Sequence, residues 1–329
     1  MNVLVTGGAG FIGSHLVDLL LEDPSARVTV LDRLSTGGSP ANLQQHEGDP
    51  RLRFVHGDVA DAAAVGPLVE ETDAVVHAAA ESHVDRSIEA PSAFLTTNVV
   101  GTQAVLEACR EHGTRLLMVS TDEVYGPGDP DGGRFDEDRP LAPRSPYAAS
   151  KAAADLLCRA YRETYGTDVT VVRGTNAFGP RQIERVVPTY AIAALEGREV
   201  PVYGRGEQRR EWLHVRDWSR GALVALRGGD REVVYNIGGG KEVSNLELAR
   251  AICALAGAPE SLVTFVTDRP GHDFRYGISS DRLTALGWKP EVPFEDGLAE
   301  TVAWYRDHLD WIRKAHTGPI VTAPRGAPA

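Results

Sequence analysis

The chain has 329 residues, 42% hydrophobic and 24% charged, which excludes an intrinsically disordered polymer and suits one large or two ordinary globular units. Lys plus Arg number 34 against 46 Asp plus Glu, a formal charge of -12. This balance argues against nucleic acid or an anionic membrane as partner and requires any anionic ligand to be held by a local cluster of cations. Three dispersed cysteines (Cys109, Cys158, Cys253) with no CxxC pair argue against a disulfide scaffold or a metal site and fit the reducing cytoplasm. No apolar run approaches the roughly 18 residues of a membrane span, and the N-terminus reads as a strand and not a signal peptide.

In chain order, short β-rich apolar runs occur at Val3–Val5, Val28–Leu31, Arg53–Val55, Ala74–Val76, Leu116–Val119 and Val169–Val172, separated mostly by segments of helical length. This alternation predicts an α/β fold, a Rossmann-type doubly wound parallel sheet covered on both faces. Helices are predicted over Phe11–Glu22, where Leu16, Leu19 and Leu20 share a face, and over Asn98–His112. A third is predicted over Ser145–Tyr165, with Ser145 as N-cap, Pro146 at the first helical position and Gly166 as the stop. After about residue 175 the alternation loosens, and clustered Arg, Gly and Trp suggest a smaller ligand-binding lobe over 176–314. Strands near 233–237 are expected to return to the sheet. Residues 315–329, rich in Pro, Gly and Ala, are expected to be loosely ordered.

The first strand runs into Thr6-Gly-Gly-Ala-Gly-Phe-Ile-Gly13, in which Gly7, Gly10 and Gly13 give a GxxGxxG spacing. Glycines there let main chain turn tightly and approach a pyrophosphate seated on a helix N-terminus. A lone glycine cluster is usually only a turn. Here a strand precedes it, a helix follows, and the second strand ends in Asp32, 19 residues past Gly13, where a carboxylate meets the adenosine ribose. Residues 1–175 are therefore read as the NAD-binding half. Asp32 favours NAD over NADP; Arg33 beside it could accommodate a 2′-phosphate. Asp58, after the third strand, could meet the adenine amine or be an ordinary turn aspartate.

Tyr147 and Lys151 lie four apart, on one face of the third helix. A neighbouring ammonium lowers a phenol from its usual pKa of about 10, so the pair could serve as a base. The preceding strand ends in Ser120-Thr121-Asp122-Glu123, at the carboxyl edge where such sheets bind ligands. Two adjacent acids exceed the needs of hydride transfer. They suit a reaction that also moves protons on carbon and oxygen, one as acid and one as base.

Together Ala79–Ser87, Ser120–Gly126, Tyr147–Lys151 and Asp268-Arg-Pro-Gly-His-Asp273 resemble the dTDP-glucose 4,6-dehydratases, of the extended short-chain dehydrogenase/reductase group. The resemblance runs to about residue 312. It implies that Tyr147, with Lys151 and Thr121, takes the sugar 4-hydroxyl proton while hydride passes from carbon 4 to NAD. Glu123 then removes the carbon-5 proton as Asp122 protonates the departing 6-hydroxyl, and hydride returns to carbon 6. It also implies cofactor contacts at Gly7, Gly10, Phe11, Ile12, Gly13, Asp32, Arg33, Leu34, Ser35, Asp58, Val59, Ala78, Ala79, Ala80, Ser82, Thr97, Tyr147 and Lys151. Substrate contacts fall on Ser82, Thr121, Asn176, Arg185, Val186, Pro201, Tyr203, Arg210, Asn245, Arg269 and His272. No metal is implied. The implied assembly is a homodimer through the Asn98 and Ser145 helices. The chain departs from the family pattern at Ala177, where a second Asn is usual, in the shortened 182–188 segment, and at Arg185 in place of a lysine. Asn176 followed by Pro180-Arg-Gln, and Leu34-Ser-Thr-Gly37, look more like nucleotide-sugar epimerases. An epimerase or decarboxylase of the same fold, and a non-catalytic NAD-binding protein, are the alternatives.

Overall fold

A computed structural model describes residues 1–315 except 36, 129–131, 184, 231–232 and 269–272. The predicted tail from 316 onward therefore lies outside the described residues. Twelve strands are present among those described: β1 (Asn2–Thr6), β2 (Arg27–Asp32), β3 (Leu52–His56), β4 (Ala74–His77), β5 (Arg115–Thr121), β6 (Val169–Gly174), β7 (Asn176–Phe178), β8 (Val200–Tyr203), β9 (Arg209–His214), β10 (Val234–Ile237), β11 (Lys241–Ser244) and β12 (Val263–Val266). Seven form one parallel sheet in the order β10-β6-β5-β4-β1-β2-β3. The six predicted runs are its first six strands, and Val234–Ile237 pairs in parallel with β6.

Side chains alternate across this sheet, and both faces are covered. Val3, Val5, Val28 and Val30 pack with Leu16, Val17 and Leu20 of the Phe11–Leu21 helix. Leu4, Leu31, Val75 and Leu116 point the other way, onto Val105 and Leu106 of the Gly101–His112 helix. Burying each such side chain contributes on the order of 1.5–3 kcal/mol, so the sheet sits in a rigid double-sided core. The Asn98 helix differs from expectation at its start, where Thr96–Val100 forms a wide π turn leading into Gly101–His112. The Pro146–Tyr165 helix has the predicted ends. Ser145 Oγ accepts from Ala148 N at 3.1 Å, and Gly166 closes the helix at φ 69°.

The winding reverses between β1 and β4: the chain builds β2 and β3 on one side of β1, then crosses to β4 on the other. A crevice opens at the carboxyl ends of the strands flanking such a reversal. A second core, around Phe178, Tyr190, Trp212, Leu248 and Tyr305, organises the later part of the chain. It supports the small β11-β9-β7 sheet and the β12-β8 pair, which face the crevice.

Candidate active site

One continuous cavity of about 430 Å³ runs from the glycine loop to β9. That size suits organic ligands and cofactors. Its cofactor end is mostly main chain. Gly7 has φ 70°, and a Cβ there would lie 2.6 Å from Ala79 Cα and N, so β1 and the residues after β4 touch backbone to backbone. A Cβ on Gly13 would lie 2.1 Å from Gly7 O, so only glycine lets the helix start this close to the loop. A dinucleotide pyrophosphate fits this cradle, since main-chain N–H groups and a helix N-terminus are its natural partners.

Asp32 is buried. Its carboxylate accepts from Ala9 N (3.0 Å) and Leu34 N (2.8 Å), and burial raises its pKa despite those bonds. Arg33 is held by Asp58 at 2.8 Å and by Glu81, an arrangement that ties it down and leaves the NAD expectation from Asp32 intact. Asp58 is thus the partner of Arg33, while its other oxygen accepts from Ala60 N at 2.9 Å. Glu81 is fastened in turn by Asn98, whose amide donates to Glu81 O and whose carbonyl accepts from Glu81 N, both at 2.8 Å.

Phe11, Ile12, Ser35, Val59, Ala78, Ala80, Ser82 and Thr97 also line the cavity, with Gly10. Leu34 does not; it sits at φ 56° with its N–H spent on Asp32.

At the centre, β5 delivers Thr121, Asp122 and Glu123 opposite Tyr147 and Lys151. Thr121 caps the turn they form: its Oγ1 accepts from Glu123 N at 3.3 Å. The same hydroxyl reaches Asp122 Oδ1 at 3.3 Å and faces the Tyr147 hydroxyl. Asp122 is 2% exposed, and among the described residues its Oδ2 has no hydrogen-bond partner. Burial, then the Glu123 and Glu211 carboxylates, push its pKa up to about 7. Glu123, one residue later, is only half-buried, so the two acids occupy different environments.

The expected effect of Lys151 on Tyr147 is not what this geometry gives. Lys151 Nζ donates to Val119 O at 2.6 Å, and burial lowers its pKa to about 8 against the pull of Asp155. Tyr147 is raised by burial and by Glu123; Arg185 and Thr121 act in the opposite direction. Burial outweighs the neighbouring Arg185 cation.

At the far end lie Asn176, Arg185, Val186, Pro201, Tyr203, Arg210 and Asn245, all on the cavity wall. Arg210 is anchored on the carbonyls of Arg209 (2.8 Å), Asp273 (2.8 Å) and Phe274 (3.2 Å), and its guanidinium lies 4.7 Å over the Tyr276 ring. Arg185 donates to Ser82 O, linking the two sides of the cleft. Asn245 follows the Ser244–Glu247 capping box, so its position is set by the helix start as well as by the cleft. Arg269 and His272 lie outside the described residues.

Three neighbours were not singled out from sequence. Tyr276 lines the wall and donates to Asp273. Thr175 faces Asp122, while its hydroxyl donates to Glu211 O at 3.0 Å. Glu211 is fully buried, accepting from Gly239 N at 2.8 Å and pairing with Arg134 at 3.0 Å. A hydroxyl at the end of β6 and an acid beside Arg210 were the available signals.

A profile of the NAD dependent epimerase/dehydratase family matches residues 3–238. The dTDP-glucose 4,6-dehydratase of Actinoplanes sp. is 50% identical over 320 residues, covering 94% of this chain and 99% of the relative. The chain belongs to the dTDP-glucose 4,6-dehydratase family. A dehydratase of that name from Streptomyces venezuelae, solved with NAD bound, superposes with a TM-score of 0.93 at 48% identity, over 96% of this chain and all of that one. The UDP-glucose 4-epimerase of Thermus thermophilus shares the fold less closely: TM-score 0.85, 36% identity, 93% of this chain and 99% of that one.

Proposed function

We propose that this protein is an NAD-dependent hydro-lyase that converts dTDP-glucose to its 4-keto-6-deoxy derivative. The observation that carries this reading is the buried Asp122, held near neutrality in pKa, beside the more open Glu123 and opposite Tyr147. When bound, NAD would supply the acceptor and later the donor of hydride. Tyr147, in its phenolate form, takes the 4-hydroxyl proton as hydride leaves carbon 4, so that a neutral ketone forms, with Thr121 beside the Tyr147 hydroxyl. Lys151, steadied by Val119 O, supplies the nearby ammonium.

The 4-ketone acidifies carbon 5, and Glu123 removes that proton. Asp122 gives its proton to the 6-hydroxyl, because hydroxide is a poor leaving group. Its setting favours the acid form: burial and the Glu123 and Glu211 carboxylates disfavour a further negative charge there and outweigh Arg210 and Thr175. Hydride return to carbon 6, with a proton given back to carbon 5 by the acid form of Glu123, completes the sequence without net redox change. An epimerase needs transient oxidation at carbon 4 and no such acid.

Residues 1–175, with β10, serve as the cofactor half and 176–314 mainly as the sugar-nucleotide lobe. Arg185 and Arg210 are assigned to the diphosphate, where guanidinium forks suit phosphate oxygens. The working assembly is a homodimer in the cytoplasm. Leu95 and Val100, about half exposed, sit on the run leading into the Gly101–His112 helix, and Leu156 on the helix packed beside it. These apolar side chains support pairing of the same helices between two copies. Among the described residues no helix is long and apolar enough to cross a membrane.

The test is incubation of the NAD-loaded protein with dTDP-glucose and, separately, UDP-glucose, reading the 4-keto product by its absorbance in alkali. A keto product from dTDP-glucose that has lost water is expected. A 4-epimer with no loss of water from either substrate would replace this reading with the epimerase.

A further inference from the structure

We infer that Arg181 is a positioning residue that latches the cofactor cleft and so sets how long NAD stays bound. Arg181 is a non-glycine residue at φ 68°, a conformation kept only where the surroundings over-determine it. Its guanidinium is nearly buried. It donates to Asn42 O at 2.9 Å, to His15 Nδ1 at 2.8 Å and to the Asp18 carboxylate. Asp18 also accepts from Gln45 Nε2 and pairs with His46 Nε2, each at 2.7 Å.

His15 Nε2 lies 3.0 Å from Pro180 O. A carbonyl can only accept and a guanidinium can only donate, so His15 must carry its proton on Nε2 and leave Nδ1 bare. Burial and Arg181 push its pKa down to about 3, which keeps it in that neutral form.

Three segments meet at this one side chain, and each also supplies cleft wall. The Phe11–Leu21 helix follows Gly10 and includes Gly13; residues 37–46 include Gly37 and Gly38; residues 179–183 include Gln182 and Ile183. The second segment is tied to the glycine loop itself, since Ser39 N and Asn42 Nδ2 both donate to Ala9 O (3.0 and 2.7 Å). The third comes from the other side of the cleft. It is drawn in by Arg181 and His15 and held from behind by Tyr305, whose hydroxyl donates to Gln182 O at 2.6 Å. Moving residues 179–183 away from the glycine loop therefore breaks the Arg181 contacts.

The latch rests on the cleft being the NAD site, and it deepens the proposed function in one respect: a cofactor that takes and returns hydride within a turnover has no need to leave. The test loads the full-length protein with isotope-labelled NAD, removes the excess and chases with unlabelled NAD. Arg181→Met should speed label release about tenfold to a hundredfold, the loss expected for charged hydrogen bonds. Asp18→Asn, which leaves the Arg181 backbone untouched, should act in the same direction by less. Thymidine diphosphate affinity, measured alongside, should stay at the parental value. Parental release rates in both variants would overturn the latch. So would equal loosening of NAD and thymidine diphosphate, which would mark a merely structural role. Absence of dehydration would defeat the functional reading and leave the release experiment intact.

Discussion

At the cofactor end of the cleft the wall is main chain; at the sugar-nucleotide end it is side chains carried on segments far apart in sequence. Gly7 and Gly13 work by what they lack, letting β1, the first helix and Ala79 approach within distances a Cβ would forbid. Arg185, Arg210 and Tyr276 work by what they extend, and each is aimed by its own anchors. A main-chain wall tolerates no added atom, whereas a side-chain wall loses its contributions one residue at a time.

The sharpest way to break this contrast is Gly13→Ala. The new methyl would meet Gly7 O, so NAD content of the purified protein should fall to background; parental content would remove the main-chain account. Glu123→Gln touches the join between the two ends and should slow dehydration roughly 100-fold to 10,000-fold, as expected for loss of a general base. Deuterium entry from solvent at carbon 5, followed by mass analysis, should fall in parallel. At the far end, Arg210→Ala should weaken sugar-nucleotide binding by about 1.5–3 kcal/mol, the value of a charged hydrogen bond, with NAD binding retained. An unchanged dissociation constant for the sugar nucleotide would take Arg210 out of the diphosphate clamp.

The smallest effect is on stability. The Asp122 pKa rises from 3.8 to about 7 on folding, so the folded state holds that proton more tightly. Its contribution to stability is therefore present at low pH and is lost as pH rises through that window. Asp122→Asn removes this loss, and its thermal midpoint relative to the parent should climb by a few degrees between about pH 4 and pH 7, then level off. A constant difference across that range would contradict the raised pKa.

The same contrast explains what could be read from sequence. The strands of the parallel sheet, the glycine loop, Asp32 and the Ser145-capped helix depend on short-range spacing, and all are visible as patterns. The acidic turn was legible because it follows directly from β5. Tyr276 and Glu211 were not, because Tyr276 joins the wall only through packing after β12 and Glu211 comes near Asp122 only through the folding of β9; Thr175 follows β6 directly but carries no motif of its own. The raised pKa of Tyr147 was equally hidden: spacing puts Tyr147 and Lys151 on one face, but only the fold shows the phenol buried beside Glu123. Arg33 and Asp58, each open to two roles in sequence, turn out to hold one another.

The central claim is that Asp122 donates the proton for elimination after carbon 4 has been oxidised, and a single-turnover experiment on Asp122→Asn tests it most directly. The variant, loaded with NAD, is mixed with dTDP-glucose while nicotinamide absorbance and the mass of the sugar are followed together. The account predicts that the reduced-nicotinamide signal rises at close to the parental rate and then persists, with the sugar retaining its water. Loss of water at the parental rate would contradict it.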